Sequence, residues 1–419
     1  MTHIFSGIWA LLLGILFIML GNGMHFTLIG LRGAIEGFSA NELAIVASGY
    51  FLGFLSGARL TPGMIKRVGH VRVFAALGSF MSAGLIAFPL LTDPILWTLV
   101  RVLVGFCMSG IYVTAESWLN ASATNETRGK ILSAYMIAQT LGIIGAQGLL
   151  TFGEAATAGL FIGASILVSI SFGPILLSVT PTPAADVTRP MALRTLFKGS
   201  PLGTVGIFLL GTIYAIQSGM GAVYGTQVGM SANEISLFIA MLFGGALLLQ
   251  VPIGWLSDRM DRRMLILGCS ALGAVFCILG WINDASIVLL MGTAFLTGGV
   301  TTPLYALILA YTNDALDAED MPAASGGLVL TFGVGAILGP LGAGSAMEAV
   351  GPQAFWLVLG VLFVAIAAYS AYRMTQRPAA PVSETDSYLG VVPTASQVAV
   401  EAAGAWAVDQ AELEREADA

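Results

Sequence analysis

The sequence predicts an all-α integral membrane protein, with twelve transmembrane helices folded as two pseudo-symmetric six-helix bundles. Three observations carry that prediction: charge is scarce, uncharged apolar runs are long, and the cations fall almost entirely on one side. Charged residues make up 10% of the 419 positions and apolar residues 57%, with a mean hydropathy of +0.87. A soluble domain carries about 25% charged residues, so lipid must cover most of this surface. The net charge of −7 does not mark an acidic body, because eight of the 24 acids, from Glu384 to Asp418, lie in the last 36 residues. Nucleic acid is not an expected partner.

Spans are expected at about 6–31, 41–62, 72–91, 95–118, 130–152, 157–179, 201–224, 233–256, 264–283, 285–311, 323–347 and 351–373, where runs approach the roughly 20 residues that cross a bilayer as helix. Helices satisfy their own backbone polar groups in lipid, which isolated strands cannot do. With both termini placed in the cytoplasm, every lysine and arginine except Arg32 and Arg101 falls on the inner side, the asymmetry that orients membrane helices. An odd number of spans would scatter the later cations over both faces. The opening MTHIFSG lacks a basic start and a small-residue cleavage site, so the first run reads as a retained helix rather than a signal peptide. Cys107, Cys269 and Cys277 all sit inside apolar runs and read as small buried residues, not as a disulfide framework or a metal site.

The chain divides into residues 1–180, a proline-rich basic linker at 181–200, residues 201–376, and an acidic tail at 377–419. The composition of the tail predicts disorder; a partner-docking helix is the alternative. KRVGHVR (66–72) and GWLSDRMDRR (254–263) each follow the second helix of their half, and Lys66–Arg67 superposes on Asp258–Arg259 at an offset of 192. GAQG (145–148) superposes on GPLG (339–342) at 194. Two landmarks at nearly one offset indicate a tandem repeat of six helices.

Certain residues stand out against the apolar background. Arg101 is the one cation well inside a helix, and burying it costs about 2.5–3.5 kcal/mol on insertion scales. It should therefore face the protein interior, where such residues mark substrate or ion paths; snorkelling to the outer headgroups is the alternative. Arg101, Gly105, Met108 and Tyr112 share one helical face. Glycines recur every fourth residue at Gly49, Gly53 and Gly57, with further small-residue ridges through Gly145 and through Gly335, Gly339 and Pro340. Such ridges let helix backbones approach closely in lipid.

The run Gly254-Trp-Leu-Ser-Asp258-Arg259-Met-Asp-Arg262-Arg263 resembles the loop signature of the major facilitator superfamily, with Asp261 in place of the second glycine. Arg101-x-x-x-Gly105 resembles the fourth-helix motif of the same superfamily. The resemblance covers about residues 5–375, and the text VTAESWLN…TNETRGKILSAYMI (113–137), with GAQG and QVPIGWLSDR, is similar to its YcaD-like bacterial branch. It implies the major facilitator fold, a bacterial inner-membrane location, and a loop cluster that latches the two halves when the cytoplasmic gate is shut. Gly254 would permit close helix approach, Asp258 would sit against a helix N-terminus, and Arg259 and Arg262 would hold the loop inside. The first-half copy has Lys66 where the family has its acid and keeps Arg67; Glu116, near Arg128 and on the same side, is the candidate replacement. A solvated interfacial carboxylate is the plain alternative for Glu116.

The resemblance also implies that the first, fourth, seventh and tenth helices line a central cavity. Those helices carry Asn22 and His25, Arg101 and Tyr112, Tyr214, Gln217 and Tyr224, and Thr301 and Tyr305. The expected function is secondary active or facilitative transport of a small solute by alternating access, with a monomer as the expected state. One fixed positive charge in the cavity would favour an anionic or zwitterionic solute. No acid lies at mid-membrane depth, so proton coupling would have to use Glu116, Glu36 or His25; uniport and a route through Arg101 are the alternatives. Gly129-Lys130 lacks the spacing and hydroxyl of a phosphate-binding loop. No Gly-x-Ser-x-Gly, paired histidines or acidic metal cluster points to an enzyme, a cofactor or a metal. A transporter-derived receptor or scaffold signalling through the acidic tail is the other reading.

Overall fold

The computed structural model describes residues 2–177, 190–283, 286–317, 319–376, 385 and 387–418. Residues 181–189 of the expected linker, Arg189 among them, and Arg377 of the cation tally lie outside these described residues.

In chain order the helices are α1 (Thr2–Ile35), α2 (Ala40–Val68), α3 (His70–Ala87), α4 (Pro94–Ser122), α5 (Asn125–Leu149), α6 (Gly159–Ile170), α7 (Phe172–Leu177), α8 (Leu193–Gly199), α9 (Pro201–Gln227), α10 (Ala232–Ser257), α11 (Arg262–Ile282), α12 (Ile287–Asn313), α13 (Met321–Val350), α14 (Ala354–Met374) and α15 (Gln397–Asp418). Among the described residues twelve spans are long and apolar enough to cross a membrane, eleven of them built on a single helix and the sixth, Gly159–Leu176, made of α6 and α7 together. The expected spans are all present, and the fold is the predicted all-α membrane architecture.

Local structure repeats at the interval read from the loops. Ser39-Ala-Asn-Glu42 and Ser231-Ala-Asn-Glu234 both form capping boxes, in which the serine side chain accepts from the glutamate N–H and the glutamate accepts from the serine N–H. This satisfies backbone donors that a helix start leaves unpaired. The turns before them match as well. Gly37 and Gly229 both take positive φ, 81° and 80°. Phe38 N–H donates to Gly33 C=O and Met230 N–H to Gly225 C=O. Every pair lies 192 residues apart.

Within each half the decisive contact is a reciprocal glycine crossing. A Cβ at Gly53 of α2 would overlap the Val102 carbonyl of α4, and one at Gly105 of α4 would overlap the Tyr50 carbonyl of α2. In the second half Gly245 of α10 meets the Phe295 carbonyl and Gly298 of α12 meets the Leu242 carbonyl. These glycines stand 192 and 193 residues after their first-half counterparts. Gly49 and Gly57 also face α4, at Thr98 and Phe106, while Gly335 and Gly339 face α9 at Phe208 and Thr212. Gly145 meets only the Leu20 side chain of α1, and Pro340 lies beside Gly219 of α9.

The halves meet on the face opposite the cation-rich loops. There Asn41 N–H donates to Glu348 at 3.2 Å, Ser345 Oγ to Asn41 Oδ1 at 3.1 Å, and Ser48 Oγ to the Ile337 carbonyl at 2.8 Å. Small residues make the seam dry: Gly344 packs on Ala40 and Ala44, Gly219 on Ala47, and Gly30 on Ala222.

On the cation-rich face the tail lies between the halves. The disorder expected for 377–419 does not describe residues 387–411, which are folded onto the protein. α15 packs against α4 and α5 of the first half and α13 of the second. Its physical basis is an alanine at every fourth position: Ala395, Ala399, Ala403, Ala407 and Ala411 are all at most 6% exposed. Acid-rich composition masked this stripe of small apolar residues, which lets the helix sit deep between its neighbours.

Replacing Gly53 or Gly245 with valine forces paired backbones apart. Overpacking of this kind costs about 1–3 kcal/mol, so each variant melts at lower temperature in detergent. Gly148→Val, whose Cβ would meet nothing within 4 Å, melts like the unsubstituted protein.

Candidate functional site

Between the halves lies a narrow cavity of about 30 Å³. Its walls come from both halves and the tail: Asn22, Phe26, Tyr50, Phe51, Tyr112 and Gln147 on one side, Tyr214, Ser218, Ile239 and Phe243 on the other, and Thr394 from the tail. Aromatic faces dominate, with amides and hydroxyls interspersed, as in small-molecule sites generally. Gln147 is fixed by Thr27, whose hydroxyl donates to its Oε1 at 2.9 Å. Tyr50, Tyr112, Tyr214 and Thr394 share the lining, and the Tyr112 hydroxyl donates to Met19 Sδ at 3.2 Å.

Arg101 stands behind this wall. Its guanidinium packs on the rings of Phe26 and Tyr50, 4.4 and 4.6 Å from their centroids, and Nη1 lies 2.9 Å from His25 Nδ1. A guanidinium only donates, so Nδ1 accepts and the imidazole proton sits on Nε2. That nitrogen and Arg101 Nε are buried without a hydrogen-bond partner among the described residues. His25 is itself held by Phe88, at 4.5 Å between ring centroids. Arg101 is 1% exposed, so it faces the interior and does not snorkel. It reaches the cavity through two aromatic rings and is not itself part of the lining, and the cavity is therefore less electropositive than expected.

The other cavity candidates divide. Asn22, Tyr112 and Tyr214 line the space. Gln217 instead donates to Thr301 Oγ1 at 3.0 Å, tying α9 to α12, and Tyr305 packs edge-on to Phe332. Tyr224 belongs elsewhere: it stacks on Phe355 and meets Trp356 and Phe238, because it lies near the far end of α9. Sequence reasoning missed Tyr50, Phe26, Gln147 and Thr394. Gln147 sat inside GAQG and Tyr50 inside the glycine ridge, both read for packing alone.

The loop residues expected to latch the halves have other partners. Glu116 is fully buried. It accepts from Tyr135 Oη at 2.9 Å and from Ser396 N–H of the tail at 2.8 Å, not from the cations of the first-half loop. Lys66 and Arg67 are exposed and form no ion pair among the described residues. Arg128 lies 3.9 Å from Asp409 of the tail. Asp258 accepts from Tyr388 N–H at 2.8 Å, and Gly254 leaves room for the Tyr388 ring rather than for a helix. Arg259 packs on Trp255 at 4.3 Å. Arg262 holds the end of α12 through Asp314. Asp261, in the place of the family's glycine, caps α11 by accepting from Arg263 N–H. Partial burial pushes its carboxyl up, and the hydrogen bonds from Arg263 outweigh this and leave it below the usual carboxylate range.

The Major Facilitator Superfamily model matches residues 204–403. The uncharacterized MFS-type transporter YcaD of Escherichia coli O45:K1 is 27% identical over 332 residues, which are 79% of this chain and 86% of that protein. The chain is thus similar to the major facilitator superfamily over 204–403, and to this MFS-type transporter over most of its length. YcaD of Escherichia coli K12 shows the same identity and coverage. Among solved structures, the nucleoside transporter NupG superposes with a TM-score of 0.75 at 15% identity, covering 88% of this chain and 99% of its own. A mutant of NupG covers 87% of this chain at the same score. At that identity the likeness is one of fold. These likenesses point to a membrane transporter.

Substitutions at three positions test these anchors by melting in detergent. His25→Ala leaves a buried guanidinium donor unpaired, at a cost of about 1–3 kcal/mol. Arg101→Lys does not restore the lost stability of Arg101→Met, since an ammonium cannot pair and stack as the planar fork does. Asp314→Asn breaks a pair whose side chains are only 2% and 9% exposed and lowers stability by about 3–5 kcal/mol.

Proposed function

We propose that this protein moves a small solute across the membrane by alternating access, with residues 1–180 and 201–376 tilting about the central cavity. The observation that carries the reading is a cavity walled by both halves and sealed on one face by small-residue contacts and a few hydrogen bonds between them. Contacts of that kind separate without exposing large apolar surfaces. The distribution of cations makes the sealed face the outer one, so the conformation is the inward-facing member of the cycle.

The solute class follows from the wall. With Arg101 set behind Phe26 and Tyr50, the lining offers aromatic faces, two amides and several hydroxyls. This suits a neutral solute with a planar face and hydrogen-bonding edges better than a strong anion. Nucleosides, which NupG transports, are one such class. Glu116 is the carboxylate positioned to carry a coupled proton, since it sits buried where both halves and the tail meet.

The test is a thermal-shift screen of purified protein against nucleosides, amino acids, sugars and organic acids, followed by uptake into proteoliposomes. The expected ligand stabilises the unsubstituted protein, binds roughly tenfold more weakly to Tyr214→Ala through the lost aromatic stack, and accumulates in vesicles. Equal stabilisation of both forms, or no uptake of a bound ligand, would overturn the reading. If Glu116 carries the proton, Glu116→Gln abolishes accumulation driven by a pH gradient while solute exchange continues.

A further inference from the structure

We propose that residues 387–411 form an autoinhibitory plug, which fills the vestibule on the cation-rich face and captures the polar groups that would otherwise close it. Its consequence for flux rests on the transport reading above; its geometry does not.

The tail does more than cover the opening. Tyr388 enters first: its N–H donates to Asp258 at 2.8 Å, and its ring fills the space beside Gly254. Thr394 then reaches the cavity itself, where it shares the wall with Tyr112 from one half and Tyr214 from the other. Ser396 follows at the start of α15, where its N–H donates to Glu116 at 2.8 Å. The carboxylate thus sits at the positive end of a helix, where negative charge is stabilised. Gln397 donates to the Pro322 carbonyl at 3.2 Å, Trp406 packs on Gly129 of α5, and Asp409 faces Arg128.

Three features make this a plug rather than a general brace. First, its polar partners coincide with the loop and gate residues singled out from the sequence: Asp258, Glu116 and Arg128. Second, a helix with side chains is about 10–12 Å across, and α15 lies between α4 and α5 on one side and α13 on the other. While it stays there those helices cannot close on each other, so the docked tail holds a single state of the cycle. Third, Thr394 stands among the cavity walls, so a docked tail and a bound solute compete for one space. Because the segment is tethered to α14, its effective concentration is on the order of millimolar, and modest affinity keeps it in place.

The test uses the full-length protein in detergent, with Cys107, Cys269 and Cys277 replaced by alanine and Tyr214→Cys as the reporter. A water-soluble maleimide reads access to the cavity. In the otherwise unchanged chain labelling is slow. Adding Tyr388→Ala and Ser396→Pro, which remove the ring beside Gly254 and the N–H donated to Glu116, speeds labelling at least about tenfold as the tethered segment is released. Ser396→Ala alone, which keeps the N–H, stays slow. Should the cysteine-free protein fail to fold, spin labels at positions 60 and 406 report the same release as a broadened distance distribution. Equal labelling rates, or an unchanged distance, would overturn the plug. Uptake is read in the chain that keeps Tyr214 and its cysteines, with and without Tyr388→Ala and Ser396→Pro. Faster labelling of the reporter with no uptake in either of these forms would leave the plug standing and refute the transport reading. Uptake at equal rates together with equal labelling would do the reverse.

Discussion

In a bilayer, apolar side chains gain little by leaving lipid for one another, so helices hold together where their backbones come close enough for dense packing. This chain meets that constraint with bare Cα atoms at crossing points. Gly53 and Gly105 lock α2 to α4, and Gly245 and Gly298 lock α10 to α12 in the same way. Each half is thereby a stiff body. The contacts between halves are of another kind: alanines, glycines and a few hydrogen bonds from short side chains on one face. Stiff units joined by a shallow seam are what a rocking motion requires, and the central cavity lies where the seam ends.

The cavity and the gate are linked through the tail. Arg101 and His25 set the back of the aromatic wall, Phe26 and Tyr50 form its surface, and Thr394 completes it from the far end of the chain. A charge kept behind two rings organises the wall without presenting itself to the lumen, which removes the simplest argument for an anionic solute. Asp258, Glu116 and Arg128, expected to help bridge the halves, are turned instead toward a segment that lies between them.

Much of the fold was legible because lipid imposes it. Twelve apolar runs, the cation asymmetry and an offset of 192 between loops foretold the spans and the duplication. The second pair of SANE capping boxes carried the same offset and went unread, since short polar turns draw less notice than charged motifs. Cavity residues were legible only in part. Asn22, Tyr112 and Tyr214 followed from which helices should face inward, whereas Tyr224 sits too near the end of α9 and Gln217 turns toward Thr301. Helix number says which elements face the centre; it does not say which turn of each lies at cavity depth.

The sequence by itself determined the membrane architecture, its doubled plan and the glycine ridges, because these follow from local composition and periodicity in a solvent without hydrogen bonds. Tertiary structure alone decided where the tail goes and what Glu116, Asp258 and Arg128 hold. Those partners lie 280, 130 and 281 residues away along the chain. A carboxylate or guanidinium is indifferent to sequence distance, and takes whichever donor or acceptor packing brings within reach. The alanine stripe at every fourth position was visible in the tail throughout, but its meaning depended on a cleft that only the folded halves create.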